Sequence, residues 1–141
     1  MFSLSEFYGY CKQNDVDIMP FAALPRPACT VRDGRYYAVA LNFTRLHTVR
    51  QMRTAMLHES GHLHTGALHK VDSPFQLVAQ NEHRADADSF RRCLPAEEIR
   101  QAMRQGYTEL WQLADYFDLD EDYIKKALHY WTECRGIDFN R

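Results

Sequence analysis

Within the run His58-Glu59-Ser60-Gly61-His62, three side chains have the type and spacing for chemistry. Residues four apart on a helix share a face, so the two imidazoles project side by side and reach one metal ion. Glu59 is rotated about 100° from His58 around the helix. From there it reaches a metal-bound water without competing for the metal. Two ligands, one general base and an open coordination position are what metal-assisted hydrolysis of a peptide bond requires. The rival reading is a solvated helix that carries two histidines and a glutamate by chance, and the neighbouring sequence decides between them.

A catalytic zinc usually takes three protein ligands. A later helix has an apolar stripe of Phe75, Val78, Ala79, Phe90 and Cys93, and Glu82 falls on it, with Asp86 one turn further on. Two carboxylates on a core-facing stripe are costly unless paired, hydrogen-bonded or bound to metal. Ion pairs with Arg53, Arg84 or Arg91 would be the ordinary explanation. Beside the two histidines, Glu82 as third ligand is preferred. A third histidine at the metzincin spacing would need Gly at 65 and His at 68, where the chain has Thr65 and Leu68. His64 points to another helix face, and His83 is turned off the stripe. Asp86 stays open as a direct ligand. Its preferred role is to accept a hydrogen bond from a ligand histidine and so orient it.

The elements that must position these residues are legible from caps and breakers. Ser3 and Glu6 make a capping box ahead of Leu4, Phe7, Tyr8 and Cys11, which predicts a helix over 4–13 ending near Asn14. Pro20, Pro25 and Pro27 break the next stretch. Strands are expected at Val16–Met19, Cys29–Val31 and Tyr36–Leu41, with Asp33-Gly34 as a hairpin signal between the last two. Thr48 and Gln51 open the motif helix, and Gly66 stops it. Ser73-Pro74 with Gln76 starts a helix running to about Cys93. Another follows from Pro95 to Gly106. Thr108 and Asp120 cap two final helices, with apolar positions Leu110, Leu113, Ala114, Phe117 and then Ile124, Ala127, Leu128, Trp131. The expected fold class is α+β: a small antiparallel three-stranded sheet packed against a mainly helical domain. Residues 1–141 read as one domain, with 108–134 a C-terminal helical pair belonging to it.

Composition narrows the function classes. The chain has 141 residues, 45% hydrophobic and 26% charged, long enough to bury a core without disulfides. A net charge of −2 argues against a nucleic-acid surface as the dominant feature. The early arginines (Arg26, Arg32, Arg35, Arg45, Arg50, Arg53) read as a solvated basic face. Cys11, Cys29, Cys93 and Cys134 include no C-x-x-C pair, and no signal peptide precedes them. A reduced, cytoplasmic protein is expected, with no membrane span.

Leu41-Asn42 at a strand end, the motif His58-Glu59-Ser60-Gly61-His62, then Glu82-His83-Arg84-Ala85-Asp86, Phe90 and Leu94-Pro95 together form a pattern. The segment 40–95 resembles the ImmA/IrrE-type metallopeptidases of bacteria, their phages and mobile elements. Ser60 stands where a bulkier apolar residue is common in that family, and Asp88 lengthens the spacing to the phenylalanine by one. The resemblance implies one zinc on His58, His62 and Glu82, with Glu59 catalytic. It also implies a regulatory protein substrate, such as a helix-turn-helix repressor cleaved to derepress stress or mobile-element genes.

The leading expectation is therefore a zinc-dependent endopeptidase in which Glu59 relays the proton of the attacking water to the leaving amine. Tyr36, Tyr37 and His64 are candidates to steady the oxyanion. The strand ending near Asn42 is a candidate edge for an extended substrate. The alternative is a DNA-binding or adaptor protein with a non-catalytic zinc site, using residues 110–124 as a helix-turn-helix. Its second helix begins Asp120-Glu121-Asp122, a charge that opposes phosphate. No direct nucleic-acid contact is expected. A purely structural zinc would normally close with four Cys or His ligands, and no cysteine neighbours the motif in sequence.

Overall fold

Side-chain caps set where the first helices begin. Ser3 Oγ accepts the Glu6 amide at 3.1 Å and opens α1 (Leu4–Gln13). Thr48 Oγ1 accepts the Gln51 amide at 3.0 Å and opens α2 (Val49–Thr65), while Gln51 Oε1 takes the His47 amide at 2.7 Å. These contacts satisfy donors that a first helical turn leaves without partners. Gly66 ends α2 in the left-handed region at φ 64°, where a side chain would be strained. The computed structural model describes residues 3–66, 68 and 75–140, so the start signal at Ser73-Pro74 lies outside the described residues. Four more helices follow: α3 (Phe75–Cys93), α4 (Ala96–Arg104), α5 (Leu110–Phe117) and α6 (Glu121–His129). The last continues as a π turn over Tyr130–Cys134. The cap expected at Thr108 falls instead at Glu109. Gln112 Oε1 accepts both the Thr108 and Glu109 amides, at 3.0 and 2.9 Å, and this double acceptance sets the later start.

The strands are β1 (Asp17–Pro20), β2 (Ala28–Asp33) and β3 (Tyr36–Leu41), in the order β1-β3-β2. Asp33 pairs with Tyr36, so Gly34-Arg35 forms a two-residue turn with Gly34 at φ 60°. The fold class is α+β as expected, but the sheet is mixed rather than antiparallel. β2 runs antiparallel to β3, whereas β1 runs parallel to it. The proline-bearing segment 21–27 does not fold β1 back as a hairpin. It arches over the end of β3, so that Pro20 and Ala28 both lie opposite Leu41. Asn42, only 1% exposed, pins this arch. Its side-chain amide donates to the carbonyls of Ala22 and Leu24, at 3.2 and 2.7 Å, and its backbone amide donates to Pro27 O. A second correction follows from the strand order. β3 is the central strand and has no free edge to offer, so the edge strand beside α2 is β2.

The helices bury their apolar faces in one cluster with the sheet, including Leu41 of β3, Leu57 of α2, Phe90 of α3 and Ile99 of α4. The α5–α6 pair completes that core through Leu113, Phe117 and Ile124. Arg50 and Arg53 of α2 hold the junction between them: Arg50 bonds Asp115 and Asp118 at 3.0 Å each, and Arg53 approaches Asp118 at 3.4 Å. This fixes the start of α6 over α2. Among the described residues, no helix is long and apolar enough to cross a membrane.

The crossing of α2 and α3 decides the geometry of the site. A Cβ added at Gly61 would lie 2.1 Å from the Ala85 carbonyl oxygen, so only glycine permits this approach. The buried face of α3 differs from the expected stripe. Ala79 is exposed, while Asn81, Ala85 and Ser89 are buried beside Phe90. Close helix approach selects small side chains ahead of apolar ones, and apolarity alone therefore misplaces the face. Glu82 and Asp86 consequently stand at the margin of the interface, half-buried and turned towards α2.

Candidate metal centre

The crossing brings His58 and His62 of α2 against Glu82 of α3. His58 Nε2 lies 2.8 Å from Glu82 Oε2, His62 Nε2 lies 3.3 Å from Glu82 Oε1, and the two Nε2 atoms are 3.3 Å apart. One ligand atom from each residue falls within 4.8 Å of the others. His62 is buried, whereas His58 and Glu82 remain partly open. Asp86, one turn beyond Glu82, accepts from His58 Nδ1 at 2.7 Å. That bond keeps a proton on Nδ1, so Nε2 is the nitrogen that faces the cluster and would release its own proton to bind a metal. Glu82 thus faces both histidines, and Asp86 lies behind His58.

The imidazoles and carboxylates of the cluster hold one another in their charged forms. Burial opposes a charged His58, but its hydrogen bonds to Asp86 and Glu82 outweigh that and push its pKa up to about 10. Burial likewise disfavours an ionised Glu82, and the bonds from His58 and His62 reverse this, holding the carboxyl well below its usual range. Two imidazole nitrogens and a carboxylate oxygen, with a further carboxylate behind one imidazole, form a donor set that suits zinc.

Glu59 is 4% exposed and lies on the next face of α2. Its Oε1 accepts from Thr30 Oγ1 of β2 at 3.0 Å. His58, Glu59 and Glu82 open onto a cavity of about 510 Å³ between α2, the 26–28 segment and the start of α6. Arg26, Arg45, Asp120, Asp122 and Lys126 also line it. Tyr36, Tyr37 and His64 do not line this cavity. Tyr36 sits exposed at the hairpin. The Tyr37 hydroxyl lies 3.9 Å from the position a Cβ of Gly66 would take. His64 bonds the Ser60 carbonyl at 2.8 Å and stacks on Tyr10 on the opposite side of α2. The tyrosine that does line the cavity, Tyr123, shares a hydrogen bond with Ser89, so its hydroxyl is engaged with α3.

Several contributors escaped the sequence reading. Thr30 was findable, because strand alternation places it on the same face as buried Ala28. Arg26 and Arg45 read in the sequence as a solvated basic face; the 21–27 arch carries Arg26 to the cavity, and Arg45 reaches it from the turn after β3. Ser60 and Asp88, the two positions that depart from the resembled pattern, meet at one guanidinium. Arg92 donates to Ser60 Oγ at 3.0 Å and to Asp88 Oδ2 at 2.7 Å, tying α2 to α3 behind the site. In comparisons with known proteins, no family model, curated protein or solved structure matches this chain.

Proposed function

We propose that this chain is a zinc-dependent endopeptidase. The observation supporting it is the convergence of His58, His62 and Glu82, with His58, Glu82 and the buried carboxylate of Glu59 lining one cavity. A zinc ion held by those three residues would supply Lewis acidity and bring the pKa of a coordinated water towards neutrality. Glu59 takes a proton on its carboxylate and returns it to the departing amine. Asp86 keeps His58 in the tautomer that presents Nε2. An extended substrate adds to the edge of β2 that no strand among the described residues pairs with; its first residue, Ala28, lines the cavity. The substrate class suggested by the family resemblance is a regulatory protein, such as a helix-turn-helix repressor of a phage or mobile element. In the alternative DNA-binding reading, α6 would present Asp120, Glu121 and Asp122 at its start, which repel phosphate.

The test is Glu59→Gln in zinc-loaded protein, assayed on fluorescein-labelled casein and on candidate repressors. The variant keeps its zinc and loses cleavage, because the amide preserves size and removes the base. Cleavage at the wild-type rate overturns the assignment of Glu59.

A further inference from the structure

We propose that Thr30 is a positioning residue, holding the Glu59 carboxylate in the single orientation from which it serves the cavity. The inference rests on the peptidase reading for its consequence and on geometry for its substance. Glu59 sits on a helix, and a glutamate side chain has three rotatable bonds that a helix alone does not fix. Within the described residues, the one hydrogen bond its carboxylate makes comes from Thr30 Oγ1, at 3.0 Å. Both residues are buried, Thr30 at 7% and Glu59 at 4% exposure, so water does not readily substitute for the donor. Thr30 is in turn fixed by the sheet: it pairs with Val39 in the β2–β3 ladder, and its β-branched side chain has restricted χ1. A bond from a neutral hydroxyl to a buried carboxylate is charge-assisted and directional.

This arrangement connects the base to the strand that borders the cavity. β2 is the sheet's edge beside α2, and the residue two before Thr30, Ala28, lines the same cavity as Glu59. A general base must meet its proton within hydrogen-bond reach, and small misplacement is costly. Without the hydroxyl, the carboxylate keeps its place on α2 but loses its fixed direction.

The experiment uses the zinc-loaded full chain with 13C-labelled glutamate, the Glu59 signal being assigned by its disappearance in Glu59→Gln. Thr30→Val removes only the hydroxyl and keeps the branched shape that suits a strand. It should retain a full zinc complement and lose side-chain order at Glu59. Its kcat on fluorescein-labelled casein should fall by about 10- to 100-fold, while KM stays within about two-fold. Thr30→Ser should restore both order and kcat. An unchanged Glu59 signal in Thr30→Val overturns the proposal, as does lost order with undiminished kcat. A fall in melting temperature and zinc content together, with normal kcat in the loaded fraction, assigns Thr30 a merely structural role and also overturns it. Wild-type protein that binds zinc yet leaves both casein and the candidate repressors intact overturns the peptidase reading instead. The NMR comparison then decides by itself whether Thr30 holds Glu59.

Discussion

The two sides of α2 hold similar residues and behave differently. On the front, His58 and His62 face Glu82 across the helix crossing, with Nε2 atoms and carboxylate oxygens 2.8 to 3.3 Å apart. On the back, His64 is bonded to the Ser60 carbonyl of its own helix and stacked on Tyr10. The nearby carboxylate there, Asp88, is held by Arg92, which also takes Ser60. The back is a set of locally satisfied groups, whereas the front leaves several donor atoms aimed at one point. Residue type therefore does not distinguish a metal-ligand histidine from a structural one. What distinguishes them is whether a second helix brings a carboxylate that pairs with the histidines and, among the described residues, with no Arg or Lys.

The largest way to break this contrast is at the crossing itself. Gly61→Ala places a methyl group against the Ala85 carbonyl and must push α3 away. We expect a loss of about 3 kcal/mol in stability, the upper range for overpacking, together with loss of zinc. Thermal unfolding and metal analysis read both, and a variant with normal stability and zinc would show that the helices are not in contact there.

The next largest effect separates the two carboxylates. Glu82→Ala removes a ligand and should abolish tight zinc binding. Asp86→Ala removes only the acceptor behind His58 and should weaken binding by about 10- to 100-fold. A zinc-competition titration ranks them. The reverse ranking would make Asp86 the ligand and shift the helix register by one turn.

How far the site could be read from sequence follows from the same contrast. Local signals gave the caps at Ser3 and Thr48, the stop at Gly66 and the two-residue turn after Asp33, because each involves groups within a few positions of one another. His58, Glu59 and His62 were legible for the same reason, since a helix fixes their relation without help. The distant partners were only partly legible. Glu82 was found on an apolar stripe whose observed face is rotated, because Ala85 and Ser89 are buried for their size and not their apolarity. The parallel pairing of β1 with β3 was missed, as prolines at 20, 25 and 27 mark a break but not which edge the chain rejoins. Asn42 stood out in the sequence, yet its work of pinning the 21–27 arch depends on carbonyls that only the folded chain brings together.

Smaller effects sharpen the back side of the comparison. His64→Ala should leave zinc content unchanged and alter stability by less than about 1 kcal/mol, as expected for an exposed position. Zinc loss in that variant would place His64 among the ligands. The smallest effect concerns Cys11, packed beneath the same side of α2 from α1. Burial pushes its thiol up to about 11, so the neutral form dominates at pH 8, and the thiolate is the reactive species. Iodoacetamide at pH 8 should label exposed Cys134 first and leave Cys11 until the protein unfolds. Peptide mass mapping reads the order, and early labelling of Cys11 would mean that α1 does not cover it.

The proposed zinc centre of His58, His62 and Glu82 is tested most directly by zinc analysis of purified wild-type protein beside His62→Ala. His62 is the most buried of the three, and removing it leaves only His58 and Glu82 to bind. One zinc per wild-type chain is expected, and none retained by His62→Ala after dialysis against a weak chelator. Equal zinc in the two proteins would contradict the proposed centre.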